Sequence, residues 1–198
     1  MLHFQYVDTG AMYRAVALVS KQRGVSWSDA DAVANVASGL RFEFAWDTDF
    51  LHVIVDGVDV TAQIRADDIG RGASDVSVHP AVRSALLDLQ RDLGHRGGVV
   101  MDGRDIGTVV LPDAGLKIFL DADLDERARR RHEELLRRGE MVHFDDIKDA
   151  LEARDKQDRE RPTAPLVAAV DAIHVDTSKL TIREAIDLVL ELARSRGA

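Results

Sequence analysis

Several absences narrow the classes of protein that this sequence can encode. The 198 residues contain no cysteine, which excludes a disulfide framework, a thiolate metal site and a cysteine nucleophile. No apolar run approaches the ~20 residues needed to cross a bilayer, so a membrane span is excluded. Residues 1–6 lack the basic stretch and apolar core of a signal peptide. We therefore expect a cytoplasmic protein with no membrane partner.

Positive charge is also scarce. The sequence has 26 basic against 35 acidic residues and a formal net charge of −9, which argues against a nucleic-acid-binding protein. Only five of the 26 basic residues are lysines, so arginine dominates. Arginine is the better bidentate partner for phosphate and carboxylate. A GC-rich genome, which encodes basic residues mainly as arginine, explains the same bias. The positions of the arginines must therefore decide between anion binding and a bias of the genome.

The familiar catalytic signatures are missing as well. None of the five lysines is preceded by glycine, so the sequence contains no G-x-x-x-x-G-K-[ST] phosphate loop. It also lacks G-x-G-x-x-G, H-E-x-x-H and G-x-S-x-G. These absences disfavour dinucleotide enzymes, zinc proteases and α/β-hydrolases, and they predict no metal site.

Hydrophobic periodicity predicts an α/β fold, in which a parallel sheet is flanked by helices. The strands are predicted near residues 3–8, 97–102, 116–121 and 172–176. The helices are predicted near residues 11–23, 28–38, 64–78, 81–93, 123–138, 144–160 and 181–195. The strands at 97–102 and 116–121 are continuously apolar, which predicts burial on both faces. A period of two within 39–62 predicts a small antiparallel insert.

The predicted strands end in acidic residues, and ligands of open α/β sheets bind beyond the carboxyl ends of the strands. Any one of these residues could instead cap a helix. Asp102 stands out because Gly103, Arg104 and Asp105 follow it on a tight turn. Arg104 can clamp a phosphate, and Asp105 can accept a hydrogen bond or hold a cation. The alternative is a surface ion pair.

Three further segments place charged side chains together. Arg154, Asp158 and Arg161 are spaced to share one helix face, where they suit a sugar hydroxyl and an anion, although an exposed ion-pair ladder explains them too. The arginine-rich helix 127–138 could close over a polyphosphate, or it could be a solvated face. The segment 8–14 puts a hydroxyl at a helix start and Arg14 one turn later, where both can meet an anion.

In order and spacing, these motifs resemble those of the bacterial cytidylate kinases, the (d)CMP kinases of the P-loop nucleoside monophosphate kinase family. The match runs from about residue 4 to the C-terminus. The matching segments are Asp8–Arg14, Asp102–Val110, Pro112–Ala114, Arg154–Arg161, Ala164–Leu166 and Val175–Thr177.

The resemblance implies an α/β kinase fold, an antiparallel insert on the acceptor side (39–62) and a lid with acceptor-site helices (127–160). It implies transfer of the ATP γ-phosphoryl group to CMP or dCMP, with Mg²⁺, by a monomer acting on small molecules.

By position, Arg14 and Arg104 resemble acceptor-phosphate clamps, and Arg154 and Asp158 resemble ribose contacts. The residues that resemble cytosine contacts are Ser74, Arg83, Asp105 and Arg161. Thr9 and Tyr13 would line the same pocket, and Arg127, Arg130 and Arg131 resemble lid arginines that close over ATP. The catalytic candidates are Arg104, Asp105 and Arg161.

The sequence departs from the family mainly at its N-terminal end, and to a lesser degree at Glu160, whose negative charge immediately precedes Arg161. A first strand, the phosphate loop and a helix precede the Asp-Thr-Gly turn in the family, a βα unit of about 25 residues that this chain lacks. We therefore expect an N-terminally truncated single domain over 1–198, with a gap beside the strands near 99–102 and 116–120. Three interpretations stay open: a cytidylate kinase whose chain lacks its ATP loop and its activity, a non-catalytic CMP-binding fragment, and a kinase for another nucleoside monophosphate.

Overall fold

The computed structural model describes residues 4–46 and 51–197. The chain divides into two compact units, residues 1–106 and 107–198, which are described in turn. Helices alternate with short parallel strands in both units, which confirms the predicted α/β class. None of the helices in the described ranges is both long and apolar enough to span a membrane.

Four helices build the first unit, and their positions follow the predicted pattern. They are α1 (Gly10–Gln22), α2 (Ala30–Gly39), α3 (Asp67–Ser77) and α4 (Pro80–His95). Pro80 occupies the first turn of α4, where its missing N–H costs no hydrogen bond. The predicted helix 64–78 is divided, because extended Ala66 separates a 3₁₀ turn at Gln63–Arg65 from α3.

Two small sheets accompany these helices. β1 (Gln5–Asp8) pairs in parallel with β5 (Val99–Asp102), and Asp8 lies opposite Asp102. The strands β2 (Phe42–Trp46), β3 (Leu51–Val55) and β4 (Val58–Asp59) form an antiparallel sheet within the predicted insert. The predicted strand residue Phe50 falls outside the described residues.

The core of the first unit forms around α1, because this helix is apolar on most of its sides. The indole of Trp27 lies against Gly72 of α3, where a Cβ atom would come within 2.5 Å of the ring, and its Nε1 donates to the Ala17 carbonyl over 2.9 Å. Trp46 Nε1 donates to the Tyr6 carbonyl over 3.0 Å, which ties the insert to β1.

The second unit contains β6 (Ile118–Asp121) and β7 (Ile173–Asp176), which pair in parallel with Asp121 opposite Asp176. Its helices are α5 (Leu124–Arg137), α6 (Phe144–Glu160) and α7 (Ile182–Ser195). A capping box between Thr181 and Glu184 starts α7. A π-helical turn at Ile106–Val110, which the sequence does not predict, precedes these elements.

The predicted burial of β5 and β6 on both faces is wrong. Val100 is 49% exposed and Leu120 is 60% exposed. In residues 4–46 and 51–197, β5 pairs only with β1 and β6 only with β7. Each strand thus has a single paired neighbour, and the side chains of Val100 and Leu120 are left open to solvent. The expected truncation and gap stay predictions.

Candidate functional site

The pairing of β1 with β5 places two of the sequence motifs side by side in the first unit. Thr9 is buried, and its Oγ1 donates to the Asp102 carbonyl over 2.8 Å. Its backbone N–H donates to the same carbonyl over 3.1 Å. A Cβ atom on Gly103 would clash with Thr9 Oγ1, so only glycine fits at position 103. The Asp8 turn and the Asp102 turn are therefore held together.

Negative charge accumulates at these two strand ends. Tyr6 Oη donates to Asp102 Oδ2 over 3.3 Å. Although Asp102 reaches solvent, the protein atoms around it partly desolvate the carboxylate, and this burial, with the nearby Asp8 charge, raises the pKa of Asp102. The Arg104 guanidinium opposes this rise. The pKa of Tyr6 is also raised, first by burial and then by Asp102 and Asp8. The site therefore favours a proton or a cation beside these carboxylates.

A buried arginine–carboxylate pair lies next to this turn. Arg83 Nη2 is 2.5 Å from Asp105 Oδ2, and both side chains are less than a tenth exposed. Arg83 Nη1 also donates to the Ser77 carbonyl, and its guanidinium lies 5.3 Å from the centroid of the buried Tyr13 ring. Asp105 thus belongs to a buried pair rather than a surface one. A fixed guanidinium and carboxylate beside a ring suit the polar edge of a planar base.

The other predicted residues of the first unit surround this pair less closely. Ser74 precedes Ser77 by one turn of α3, and its carbonyl accepts from Ser77 Oγ over 2.8 Å. Arg14 is partly buried on α1, whereas Arg104 is exposed after β5. The structure therefore brings together Thr9, Asp102 and Gly103 on one side and Tyr13, Arg83 and Asp105 on the other.

The C-terminal end of α6 carries a second buried pair, in the second unit. Arg161 follows the last residue of α6, and its Nη1 donates to Asp158 Oδ1 over 3.2 Å. Its Nε donates to the Ala164 carbonyl over 2.7 Å. Both Asp158 and Arg161 are buried, which excludes an exposed ladder for these two residues. Arg154 lies on α6 one turn before Asp158, and it is partly buried.

The three predicted lid arginines on α5 all have protein partners. Arg127 Nη1 is 2.7 Å from Asp155 Oδ2 of α6, and its Nε donates to the Ala122 carbonyl. Arg131 Nη1 donates to Glu134 Oε2 over 2.8 Å. Arg130 binds Glu126 and the chain after β7.

Some contacts of the site were not predicted from the sequence. The hydrogen bond of Tyr6 to Asp102 could have been suspected, since Tyr6 and Asp8 share one face of β1 by the period of two. The acceptors of Arg83 and Arg130 include backbone carbonyls, which leave no sequence signal.

A groove of about 840 Å³ in the second unit includes none of the predicted site residues. Among the described residues, no three His, Asp or Glu side chains form a metal-binding group.

Comparison with known proteins agrees with these motifs. The family model for cytidylate kinase matches residues 1–195. A cytidylate kinase of Chromobacterium violaceum is 47% identical over 197 residues, which cover 100% of this chain and 87% of that protein. Cytidylate kinases of Geobacter sp. (43% over 197 residues, 100% of this chain and 84% of that protein) and Bacillus subtilis (42% over 192 residues, 97% and 86%) are also similar.

The fold and these relatives define an ATP-dependent nucleoside monophosphate kinase, a phosphotransferase that acts on small molecules. Within that class, the chain belongs to the cytidylate kinase family.

Proposed function

We propose that this protein transfers the γ-phosphoryl group of ATP to CMP or dCMP. In this reaction a phosphate oxygen of the acceptor forms the new bond to phosphorus, and the bond to the bridging β–γ oxygen breaks to release ADP. The observation that carries the proposal is the pairing of β1 with β5, fixed by the Thr9–Asp102 hydrogen bond. This pairing presents the Arg14 and Arg104 motifs from adjacent strand ends, beside the buried Arg83–Asp105 pair.

The acceptor roles are those that the family resemblance implies, and burial and charge support them. Arg14 and Arg104 would neutralise the acceptor phosphate, since arginine binds phosphate through paired N–H groups. In the first unit, Arg83 and Asp105 would read the cytosine edge with Ser74. In the second unit, Arg161 resembles a cytosine contact by its position in the motif. Tyr13 and Thr9 would line the pocket, because Tyr13 supports Arg83 and Thr9 fixes the turn. Arg154 and Asp158 would bind the ribose.

The donor nucleotide would meet α5. Arg127 and Arg131 are held by carboxylates, which a polyphosphate can replace as a charged acceptor. Arg130 would meet the polyphosphate while it keeps its contact with Glu126. Phosphoryl transfer needs such positioning and charge neutralisation more than a covalent nucleophile.

The residues present also fit Mg²⁺. Asp8 and Asp102 are adjacent carboxylates, and Mg²⁺ is commonly held by one or two carboxylates together with substrate phosphates. A cation would offset the burial and the Asp8 charge that raise the pKa of Asp102. Bound there, Mg²⁺ would offset phosphate charge. Asp8 and Asp102 would hold the ion at the strand ends.

A second candidate function is CMP binding without turnover. It is favoured by the sequence, because its 198 residues hold the acceptor motifs but no G-x-x-x-x-G-K-[ST] loop to cradle the donor phosphates. Two expectations of the sequence analysis remain predictions: that the protein is a monomer and that it acts in the cytoplasm.

The deciding experiment is CMP-dependent ADP formation from Mg-ATP by the purified chain. Turnover that falls at least about 100-fold in Arg104→Ala, but not in the exposed control Arg96→Ala, supports the kinase proposal. CMP binding measured by calorimetry with no ADP formation supports the second candidate. UMP or AMP turned over faster than CMP and dCMP contradicts the proposed acceptor.

The second unit's acceptor role is tested by CMP affinity. Arg161→Ala should weaken CMP binding about tenfold or more, because a charged contact is lost, and the exposed neighbour Arg159→Ala should not. Asp158→Ala should weaken CMP more than an analogue without ribose hydroxyls. Equal losses for CMP and the analogue would contradict the ribose role.

A further inference from the structure

Glu126 is the shared acceptor of two arginines in the first turns of α5. Its Oε1 accepts from Arg130 Nε over 2.8 Å and from Arg129 Nη2 over 2.7 Å. Its Oε2 accepts from Arg129 Nε over 2.8 Å. The Glu126 side chain is only 20% exposed, so these bonds are partly shielded from water. Both carboxylate oxygens are thus engaged by guanidinium groups.

The other edge of the Arg130 guanidinium is held by the chain after β7. Its Nη2 donates to the Thr177 carbonyl over 2.6 Å and is 3.5 Å from the Leu180 carbonyl. Its Nη1 donates to Thr177 Oγ1 over 3.2 Å. Thr177 is itself buried and bonded to the Asp121 carbonyl through its N–H and its hydroxyl. Arg130 therefore bridges α5 and an anchored loop.

From this geometry we infer that Glu126 is a positioning residue, which fixes the Arg130 guanidinium against Thr177 so that its orientation is set before the donor nucleotide binds. The inference rests on the proposed contact of Arg130 with ATP. Without Glu126, Nε would lose its acceptor, and the long side chain would regain rotamers that binding must then freeze.

Glu126 differs from Glu133, another acid of α5, in the arginines that it contacts. Glu133 is 53% exposed and pairs with Arg129 alone, at 2.5 Å, so it cannot orient Arg130. Hydrogen bonds from Arg129 and Arg130, with their charges, lower the pKa of Glu126 to about 2. The same contacts that hold Arg130 thus favour the carboxylate form of Glu126.

The test compares Glu126→Gln with Glu133→Gln in the full 198-residue chain, since both replace a charged partner of Arg129 by a neutral amide but only the first does so for a partner of Arg130. ADP affinity is measured by calorimetry, with CMP affinity as the internal reference. We expect Glu126→Gln to weaken ADP about tenfold with CMP unchanged, and Glu133→Gln to change neither by more than about twofold. In ¹H–¹⁵N spectra the Arg130 Nε–H signal should exchange with solvent faster in Glu126→Gln only.

The outcomes are distinguishable. If Arg130→Ala leaves ADP affinity unchanged, or if no variant binds ADP, the proposed donor role fails and the inference fails with it. If Arg130→Ala weakens ADP but Glu126→Gln does not, the inference alone is overturned. Asp125→Asn removes another acid from the same turn and controls for charge at the helix N-terminus. Should Glu126→Gln lose helix content, Glu126→Asp keeps the charge with a shorter reach, and an unaltered ADP affinity and Arg130 signal would again overturn the inference.

Discussion

The two units hold their helices in place by different forces. In residues 1–106, α1 buries nine of its thirteen residues in a large apolar core. In residues 107–198, α7 buries none of its fourteen, and the core beside α5 and α6 has only Ala128, Leu135 and Ile147 fully buried. In this unit ion pairs help to hold α5 against α6, since Arg127 and Lys148 each bind an acid on the neighbouring helix.

This difference matches the chemistry proposed for each unit. Apolar burial fixes the backbone around Arg83 and Asp105, so the proposed base-reading pair is formed in advance. Ion pairs can be exchanged for other charges at little cost, because exposed pairs are worth only about 0–1 kcal/mol each. The arginines of α5 are therefore held firmly enough to be placed, yet can turn to phosphate.

The largest expected effect comes from breaking the buried pair of each unit. Asp105→Asn should cost about 3–5 kcal/mol of unfolding free energy, because the Arg83 charge stays buried without its carboxylate. Asp158→Asn should cost less, since the 3.2 Å contact of Asp158 with Arg161 is longer than the 2.5 Å contact of Asp105 with Arg83. Urea unfolding followed by circular dichroism measures both. Asp75→Asn on exposed α3 surface is the control, and a loss at Asp105 no larger than at Asp75 would contradict the comparison.

A second contrast sets a core leucine of one unit against a strand leucine of the other. Leu86→Ala should cost about 2–5 kcal/mol, because Leu86 is 1% exposed and its removal leaves a cavity. Leu120→Ala should cost less than about 1 kcal/mol, because Leu120 is largely exposed. The same urea unfolding experiment measures the difference. Similar losses at the two positions would show that Leu120 is covered in solution.

At Asp102 we expect a smaller change in the free energy of unfolding, and one of the opposite sign: substitution stabilises the protein. Its folded-state pKa lies above the unfolded value near 3.8, so folding favours the protonated form. The resulting destabilisation appears as the pH rises through 3.8 and is complete above the folded-state pKa. Asp102→Asn should therefore raise stability at pH 7 by at most about 1 kcal/mol after solvent screening, and by nothing near pH 3. A gain of equal size at both values would contradict the electrostatic cause.

The smallest expected effects are those of acid and salt on the second unit, where each ion pair contributes little to stability. The pKa of Glu126 is lowered to about 2, so the stability it contributes is present above the unfolded value near 4.5 and is lost as the pH falls through about 2. At ~1 M salt the screening length is only ~3 Å, which weakens the exposed pairs of α5. Amide hydrogen exchange should accelerate in α5 before α1 under both conditions. Equal acceleration in the two helices would contradict the contrast.

Sequence periodicity predicted the helices and strands to within a few residues, because each element presents its own repeat of apolar side chains. It failed on the exposure of Val100 and Leu120, since an apolar run shows what a strand could bury and not whether a neighbour is present. The candidate residues were found by motif, but their pairing was not. Asp105 binds Arg83, which is 22 residues away, and no local pattern indicates that contact.

The distribution of aromatic residues has an optical consequence. Both tryptophans and both tyrosines fall within residues 1–106, and Trp27 and Trp46 are each anchored by an indole hydrogen bond. Intrinsic fluorescence excited at tryptophan wavelengths therefore reports on the first unit alone, while residues 107–198 are silent. Quenching or a blue shift of this emission by CMP would thus report a change in the surroundings of Trp27 or Trp46, both of which lie in the first unit.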